Sequence, residues 1–208
     1  ISVSACGSFR DHMAPGDFVI VDQFIDRTFA REKSFFGTGC VAHVSVAHPT
    51  CPRLSEICHQ AAQDAGITVH MGGTYLAMEG PQFSTVAESK MYRDSWGADV
   101  IGMTNMPEAK LAREAELDYA SVAMITDYDS WHPDHGAVDI NQILATLQGN
   151  GTKARDLVAR LPALLGAARN DCPHYCDKAL EYAIITAPDK RDPTLVSKLD
   201  AVAGRVLS

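Results

Sequence analysis

Apolar residues along this chain fall into short runs, and the runs alternate between two periods. Residues 1–5 read as a buried strand ending at Gly7, and residues 17–24 as a second, β-branched strand after the turn Ala14-Pro15-Gly16. Residues 23–28 follow as a polar loop, and the alternation at 40–47 predicts a third strand. Over 51–65 the pattern becomes helical. Leu54, Ile57, Cys58, Ala61, Ala62 and Ala65 share one face, and Gly66 ends the helix. Residues 67–78 predict a long strand bulged at Gly72-Gly73, followed by a helix over 85–96. A strand over 98–103 leads to a helix opened by Pro107, with Leu111, Ala112 and Ala115 on its inner face. A further strand covers 118–126. A long helix spans about 138–168, weakened in its middle by Gly149-Asn150-Gly151. The tail carries a short apolar segment at 179–187 and an amphipathic helix over 192–207. Strands alternating with helices predict an α/β fold, a central mixed β-sheet flanked by helices, as a single domain over 1–208.

Composition removes several classes of function. A net charge of −8 argues against non-specific nucleic-acid binding. No apolar run reaches the roughly 18–20 residues of a membrane helix, and no signal-peptide pattern is present. Cysteines stand at 6, 40, 51, 58, 172 and 176 in a chain neither short nor loop-rich, so no disulfide framework is expected. Cys172 and Cys176, spaced C-x₃-C, suit a disulfide or half a metal site. With no second Cys/His pair at zinc-finger spacing, they read as reduced thiols, and no metal is expected. The chain opens at Ile1 within a strand pattern, which predicts further residues upstream.

Candidate chemistry gathers at four strand ends: Ser4 to Gly7, Met78 to Ser84, Gly102 to Asn105 and Thr126 to Asp129. Converging on one rim, they would form a small-molecule site. Phe83, in the turn Glu79-Gly80-Pro81-Gln82-Phe83-Ser84, suits stacking on a flat ring or a place in the core. Ser4 and Thr104 are hydroxyls beside the small residues Ala5 and Gly7, where backbone N–H groups approach an anion; this suits phosphate. Asp127, Asp129, His132, Asp134 and His135 leave two chemistries open: a divalent metal, or a carboxylate that bonds an amine or protonates a leaving group. Pro133 between the histidines weighs against their sharing a helical face.

Together these runs resemble the purine nucleoside phosphorylase superfamily, and most closely its 5′-methylthioadenosine phosphorylase branch. The resemblance rests on Ser4-Ala5-Cys6-Gly7-Ser8, Pro15-Gly16-Asp17 and the stretch Asp22 to Thr28. It continues through Glu79 to Thr85, Ala87-Glu88-Ser89, Trp96 to Thr104, Pro107-Glu108 and Thr126 to Asp129. It covers roughly residues 1–150.

The resemblance implies cleavage of an N-glycosidic bond by inorganic phosphate as co-substrate, without a cofactor, in a cytoplasmic homotrimer. Asp127 would serve the purine N7 and Asp129 the exocyclic amine. Phe83 would pack on the base; Ser84, Ile101 and Met103 would complete the nucleoside contacts. Ser4, Ala5 and Thr104 would bind phosphate. Ile140, Ile143 and Leu144 would wall the methylthio group, and His43 would reach into a neighbouring subunit's site. Relatives that act on 6-oxopurine nucleosides carry Glu at the place of Ser84 and Asn at that of Asp127, so both positions imply a 6-aminopurine. A 6-oxopurine or methylthioinosine phosphorylase and an inactive nucleoside-binding module stand as alternatives. Gly102 replaces an Asn of some relatives. The family's glycine-rich phosphate loop and its Arg and His ligands lie upstream of the part matching Ile1, so the resemblance implies a preceding segment or separate chain.

Overall fold

In the computed structural model, which describes residues 1–132, 140–166 and 171–207, the central strand β1 (Ser2–Ser8) lies in the middle of a seven-stranded sheet. The other strands are β2 (Phe18–Val21), β3 (Gln23–Arg27), β4 (Val69–Met71), β5 (Thr74–Met78), β6 (Val100–Gly102) and β7 (Ser121–Asp127). Their order is β3-β5-β6-β1-β7-β2-β4. The sheet is mixed: β1 runs parallel to β7 but antiparallel to β6, and β2 runs antiparallel to β7.

The two ends of that order are not independent strands. Only Asp22 separates β2 from β3, and only Gly72-Gly73 separates β4 from β5. The sheet therefore curls, and the same two stretches of chain pair at both of its ends, β2 with β4 and β3 with β5. The expected single strand over 67–78 is accordingly two, broken where both glycines have positive φ, 82° and 148°. The Asp22 carboxylate accepts the Gly73 N–H at 3.1 Å and holds the break in register. The polar loop expected over 23–28 is instead the edge strand β3; its polarity suits an edge, where one side meets water.

Both faces of the sheet are covered. On β2, Phe18 and Ile20 enter one core with Leu54, Cys58, Ala61 and Ala62 of α1 (Pro52–Asp64) and Leu157 and Leu161 of α4 (Ile140–Leu165). Val19 and Val21 enter a second core with Tyr75, Val100, Ile125 and Ala109 of α3 (Glu108–Glu114). All four β2 residues are therefore buried, as in a strand packed on both sides. A third cluster joins Phe9, Leu76, Tyr92 and Ile101 to Trp131. The helix α2 (Val86–Lys90) is started by a capping box in which Thr85 and Glu88 bond each other's backbone N–H, and a π-helical turn over Met91–Ser95 continues it.

Three further expectations change. Residues 40–47 form only isolated bridges, Cys40 with Gly37 in a local turn and Ala42 with Ile184 of the tail, because their partners lie outside the sheet. Pro107 stands at the cap just before α3, where its missing N–H is equally harmless. The terminal helix divides into α5 (Pro193–Lys198), capped by Asp192, and α6 (Asp200–Leu207). In contrast, α4 passes through Gly149 and Gly151 without interruption. Asn150 between them is buried, and its amide donates to the Ile125 carbonyl of β7 at 2.9 Å. Tertiary anchoring outweighs the glycine penalty there. Among the described residues no helix is long and apolar enough to cross a membrane.

Candidate active site

The cavity opens where β1 parts from its neighbours. β1 meets β6 only through Gly7 and Ser8, and its register with β7 slips between Cys6 and Gly7. A cavity of about 230 Å³ lies there, lined by all four of the polar strand ends. Ala5, Cys6 and Gly7 come from β1, Met78 from the end of β5, and Phe83 from the following turn. Ile101, Gly102, Met103 and Thr104 come from β6 and beyond, Thr126, Asp127 and Asp129 from β7 and beyond, and Ile143 from α4. Phe83 is half exposed at the mouth.

Of the residues singled out from the sequence, Ala5, Phe83, Ile101, Met103, Thr104, Asp127, Asp129 and Ile143 share this lining. Ser4 is buried just behind it, where its Oγ accepts from the Asn105 amide at 3.5 Å. Ser84 is buried in the wall, its hydroxyl 3.7 Å from the Met78 sulfur and its carbonyl bonded by the Ser130 hydroxyl at 3.0 Å. Ile140 and Leu144 are exposed at the start of α4, on either side of Ile143. His43 is exposed and outside the cavity, tied through its backbone N–H to the Ala183 carbonyl. His132 lies toward Asp11, 3.4 Å from its carboxylate. Asp134 and His135 lie outside the described residues.

Two carboxylates dominate the electrostatics. Asp127 Oδ1 accepts the Asp129 N–H at 2.8 Å, and its Oδ2 lies 2.7 Å from Thr126 Oγ1. Burial pushes the Asp127 carboxyl above its ordinary value, against the lowering effect of those two bonds. Thr126 Oγ1 also lies 3.1 Å from the Cys6 carbonyl, so its single proton has two acceptors. When Asp127 is protonated it can donate to Thr126, which then bonds Cys6; the group is satisfied with and without the proton. Asp129 is buried, holds φ at 50°, and keeps Oδ2 without a partner. Burial raises its carboxyl against the lowering influence of the Ser89 hydroxyl and the Ser130 backbone, and Asp127 close by adds to the rise.

Small residues make this packing possible. A Cβ on Gly7 would stand 2.9 Å from Asp127 Oδ1, and one on Gly80 would stand 2.5 Å from the Met103 sulfur. The turn carrying Asp129 is pinned from behind: Trp131 Nε1 donates to the Ser8 carbonyl at 2.7 Å, and the Arg93 guanidinium lies over the Trp131 ring.

Sequence reasoning named the strand ends holding Cys6, Met78 and Thr126 but assigned those residues no role. It missed the layer behind. Tyr75 Oη bonds Thr104 Oγ1 at 3.0 Å, from the middle of an apolar strand where nothing marks it. Asn105, fully buried at φ 69°, accepts from Tyr119 at 3.0 Å and Ser121 at 3.1 Å while reaching Ser4. Its place directly after Thr104 was the available signal.

The sequence and the fold both match known proteins. A family model, the phosphorylase superfamily, matches residues 1–163. The chain belongs to the phosphorylase superfamily. Within it, the chain is 73% identical to the S-methyl-5′-thioadenosine phosphorylase of Cereibacter sphaeroides, covering all of this chain and 71% of that protein. It is 61% identical to the protein of the same name from Bradyrhizobium diazoefficiens, again over all of this chain and 71% of the relative. Among solved structures, a methylthioadenosine phosphorylase from an antarctic soil metagenomic library superposes with a TM-score of 0.89 at 43% identity, over 97% of this chain and 70% of that one. The methylthioadenosine phosphorylase of Schistosoma mansoni in complex with adenine gives 0.76 at 34% identity, over 80% of this chain and 65% of that one.

Proposed function

We propose that this chain catalyses phosphorolysis of 5′-methylthioadenosine to adenine and 5-methylthioribose 1-phosphate. The observation that carries the reading is the pair Asp127, partly buried, and Asp129, buried, both raised toward the protonated form, in one cavity with Phe83 and Thr104.

The reaction breaks the bond between C1′ and N9 and forms one from C1′ to a phosphate oxygen. Its transition state places positive charge on the ribose and negative charge on the departing purine. A group that meets the second charge lowers the barrier. Asp127 takes this role at N7, where a raised carboxyl supplies or shares a proton. Thr126 can donate to the ionised carboxylate and accept from the protonated one, so Asp127 keeps a partner at both stages. Asp129 takes the exocyclic amine, the donor its free Oδ2 lacks. Phe83 covers the purine face. Ile101 and Met103 contact the nucleoside, with Ser84 beside the base. Ile143, with Ile140 and Leu144, forms the apolar wall for the methylthio group. Ser4, Ala5 and Thr104 serve phosphate, as the resemblance implies.

A 6-oxopurine would present its carbonyl to a carboxylate. An unmade buried hydrogen bond costs about 1–3 kcal/mol, which disfavours the 6-oxopurine alternative by roughly tenfold to hundredfold. The resemblance further implies a cytoplasmic homotrimer, in which the exposed His43 completes the 5′ pocket of a neighbour. The deciding experiment follows adenine release from 5′-methylthioadenosine with and without phosphate. Release that depends on phosphate supports the reading; an equal rate in phosphate-free buffer overturns it.

A further inference from the structure

Away from the cavity, four side chains from three separate segments converge. Cys51 immediately precedes α1, Asp118 precedes β7, and Cys172 and Cys176 follow α4. One potential ligand atom from each lies within 4.8 Å of all the others. The three cysteines are buried, and the Asp118 side chain is only 10% exposed. The Cys172 and Cys176 sulfurs are 3.0 Å apart. We propose that Cys51, Asp118, Cys172 and Cys176 bind one zinc-type divalent ion as a structural clip.

Three features support this. The first is geometry. A tetrahedral ion with Zn–S bonds of about 2.3 Å separates its sulfurs by about 3.8 Å, a spacing that small side-chain shifts reach from a set already within 4.8 Å. The second is charge. Arg113 donates to Cys176 Sγ at 3.2 Å, and Arg53 donates to Asp118 Oδ2 at 3.2 Å. Three thiolates and a carboxylate around a dication leave two negative charges, which the two arginines cancel. Buried charge is tolerated when it is paired in this way. The third is donor chemistry. Thiolates select a soft or borderline ion over magnesium or calcium, and four protein ligands in a buried place leave no open position for catalysis.

The clip would join three separate segments. Arg113 reinforces it by also bonding the Ser45 carbonyl at 3.0 Å and the His174 carbonyl at 2.8 Å. The ligands are drawn from both sides of the sheet's connections, so C-x₃-C in the sequence shows only half the set.

The test is the metal content of untagged protein expressed with zinc and passed through chelating resin. About one zinc per chain is expected. Cobalt replacement should then give a thiolate-to-metal charge-transfer band, and Cys176→Ser should lose both the band and the ion. Two results overturn the proposal on the wild-type chain alone. One is less than about a tenth of an equivalent of metal with all six thiols reactive after denaturation. The other is an intact mass showing a Cys172–Cys176 disulfide in place of the ion.

Discussion

The Tyr75 hydroxyl occupies the space of a side chain at position 102: a Cβ on Gly102 would stand 1.9 Å from Tyr75 Oη. The two residues form one packing unit beside Thr104. Gly102→Ala should therefore destabilise the fold by about 1–3 kcal/mol, seen as a lower urea midpoint at unchanged m. Tyr75→Phe combined with Gly102→Ala should recover part of that loss. Additive effects in the double-mutant cycle would show that the two residues are not coupled.

Tyr75 also orients Thr104 through its hydroxyl. Tyr75→Phe alone should raise the KM for phosphate by about two- to tenfold, the worth of one hydrogen bond, with little change in the KM for nucleoside. A selective rise in the nucleoside KM would remove Thr104 from the phosphate side.

Asp127→Asn keeps the shape but not the proton. It should lower kcat/KM for 5′-methylthioadenosine by about 10²–10³. An amide can donate to a 6-oxo group, so competing methylthioinosine against 5′-methylthioadenosine should show preference moving toward the former. No movement would refute the role given to Asp127.

Asp129 is a site of conflict between stability and function. Its folded-state pKa lies above the ordinary carboxylate value, so between the two the folded chain retains a proton the unfolded chain has released. Stability thus declines as pH rises from the ordinary carboxylate range through the raised value, and is flat beyond it. Asp129→Asn removes this contribution, and Asn tolerates the positive φ. At neutral pH the variant should melt higher, by about 2–4 °C for each kcal/mol regained, while binding adenine more weakly. A lower melting temperature at pH 7 would mean the free Oδ2 is not a liability. The shift in Asp127 has the same sign and would leave a residual slope.

Asn150 tethers α4 to β7, and so ties the helix of Ile143 to the strand of Asp127. Asn150→Ala removes one of two bonds to the Ile125 carbonyl, which still accepts the Gly16 N–H at 2.9 Å, and should cost about 0.5–1.5 kcal/mol. The KM for 5′-methylthioadenosine should rise with it. Loss of stability without any change in KM would separate the tether from the site.

The alternation of short strands and helices was legible where a strand is buried on both faces, as Phe18 to Val21 are, and where a helix buries one, as Leu54 to Ala62 show. That Phe83, Asp127 and Asp129 share one cavity was legible because strand ends expose chemistry in contiguous runs. What escaped were features made by distance. The curl depends on Asp22 meeting Gly73. Residues 40–47 alternate like a strand but pair with a local turn at Gly37 and with the tail around Ile184, not with the sheet. Tyr75 looks like any apolar strand residue until Gly102 is placed against it. Asp118 carries no mark that would join it to Cys51, Cys172 and Cys176.

Because the curled sheet pairs the same two stretches at both of its ends, little backbone is left open for another chain to add to. The strands at the ends of the order are β3, five residues, and β4, three residues. On β3, the Asp26 carboxylate is gripped by Lys33, Lys110 and the Thr28 hydroxyl, which places charge along that border. Such short, charged borders resist strand addition and the fibrous aggregation that grows from it. Copies of this chain would meet through side chains and loops, and a crowded solution of the folded protein should stay free of cross-β material.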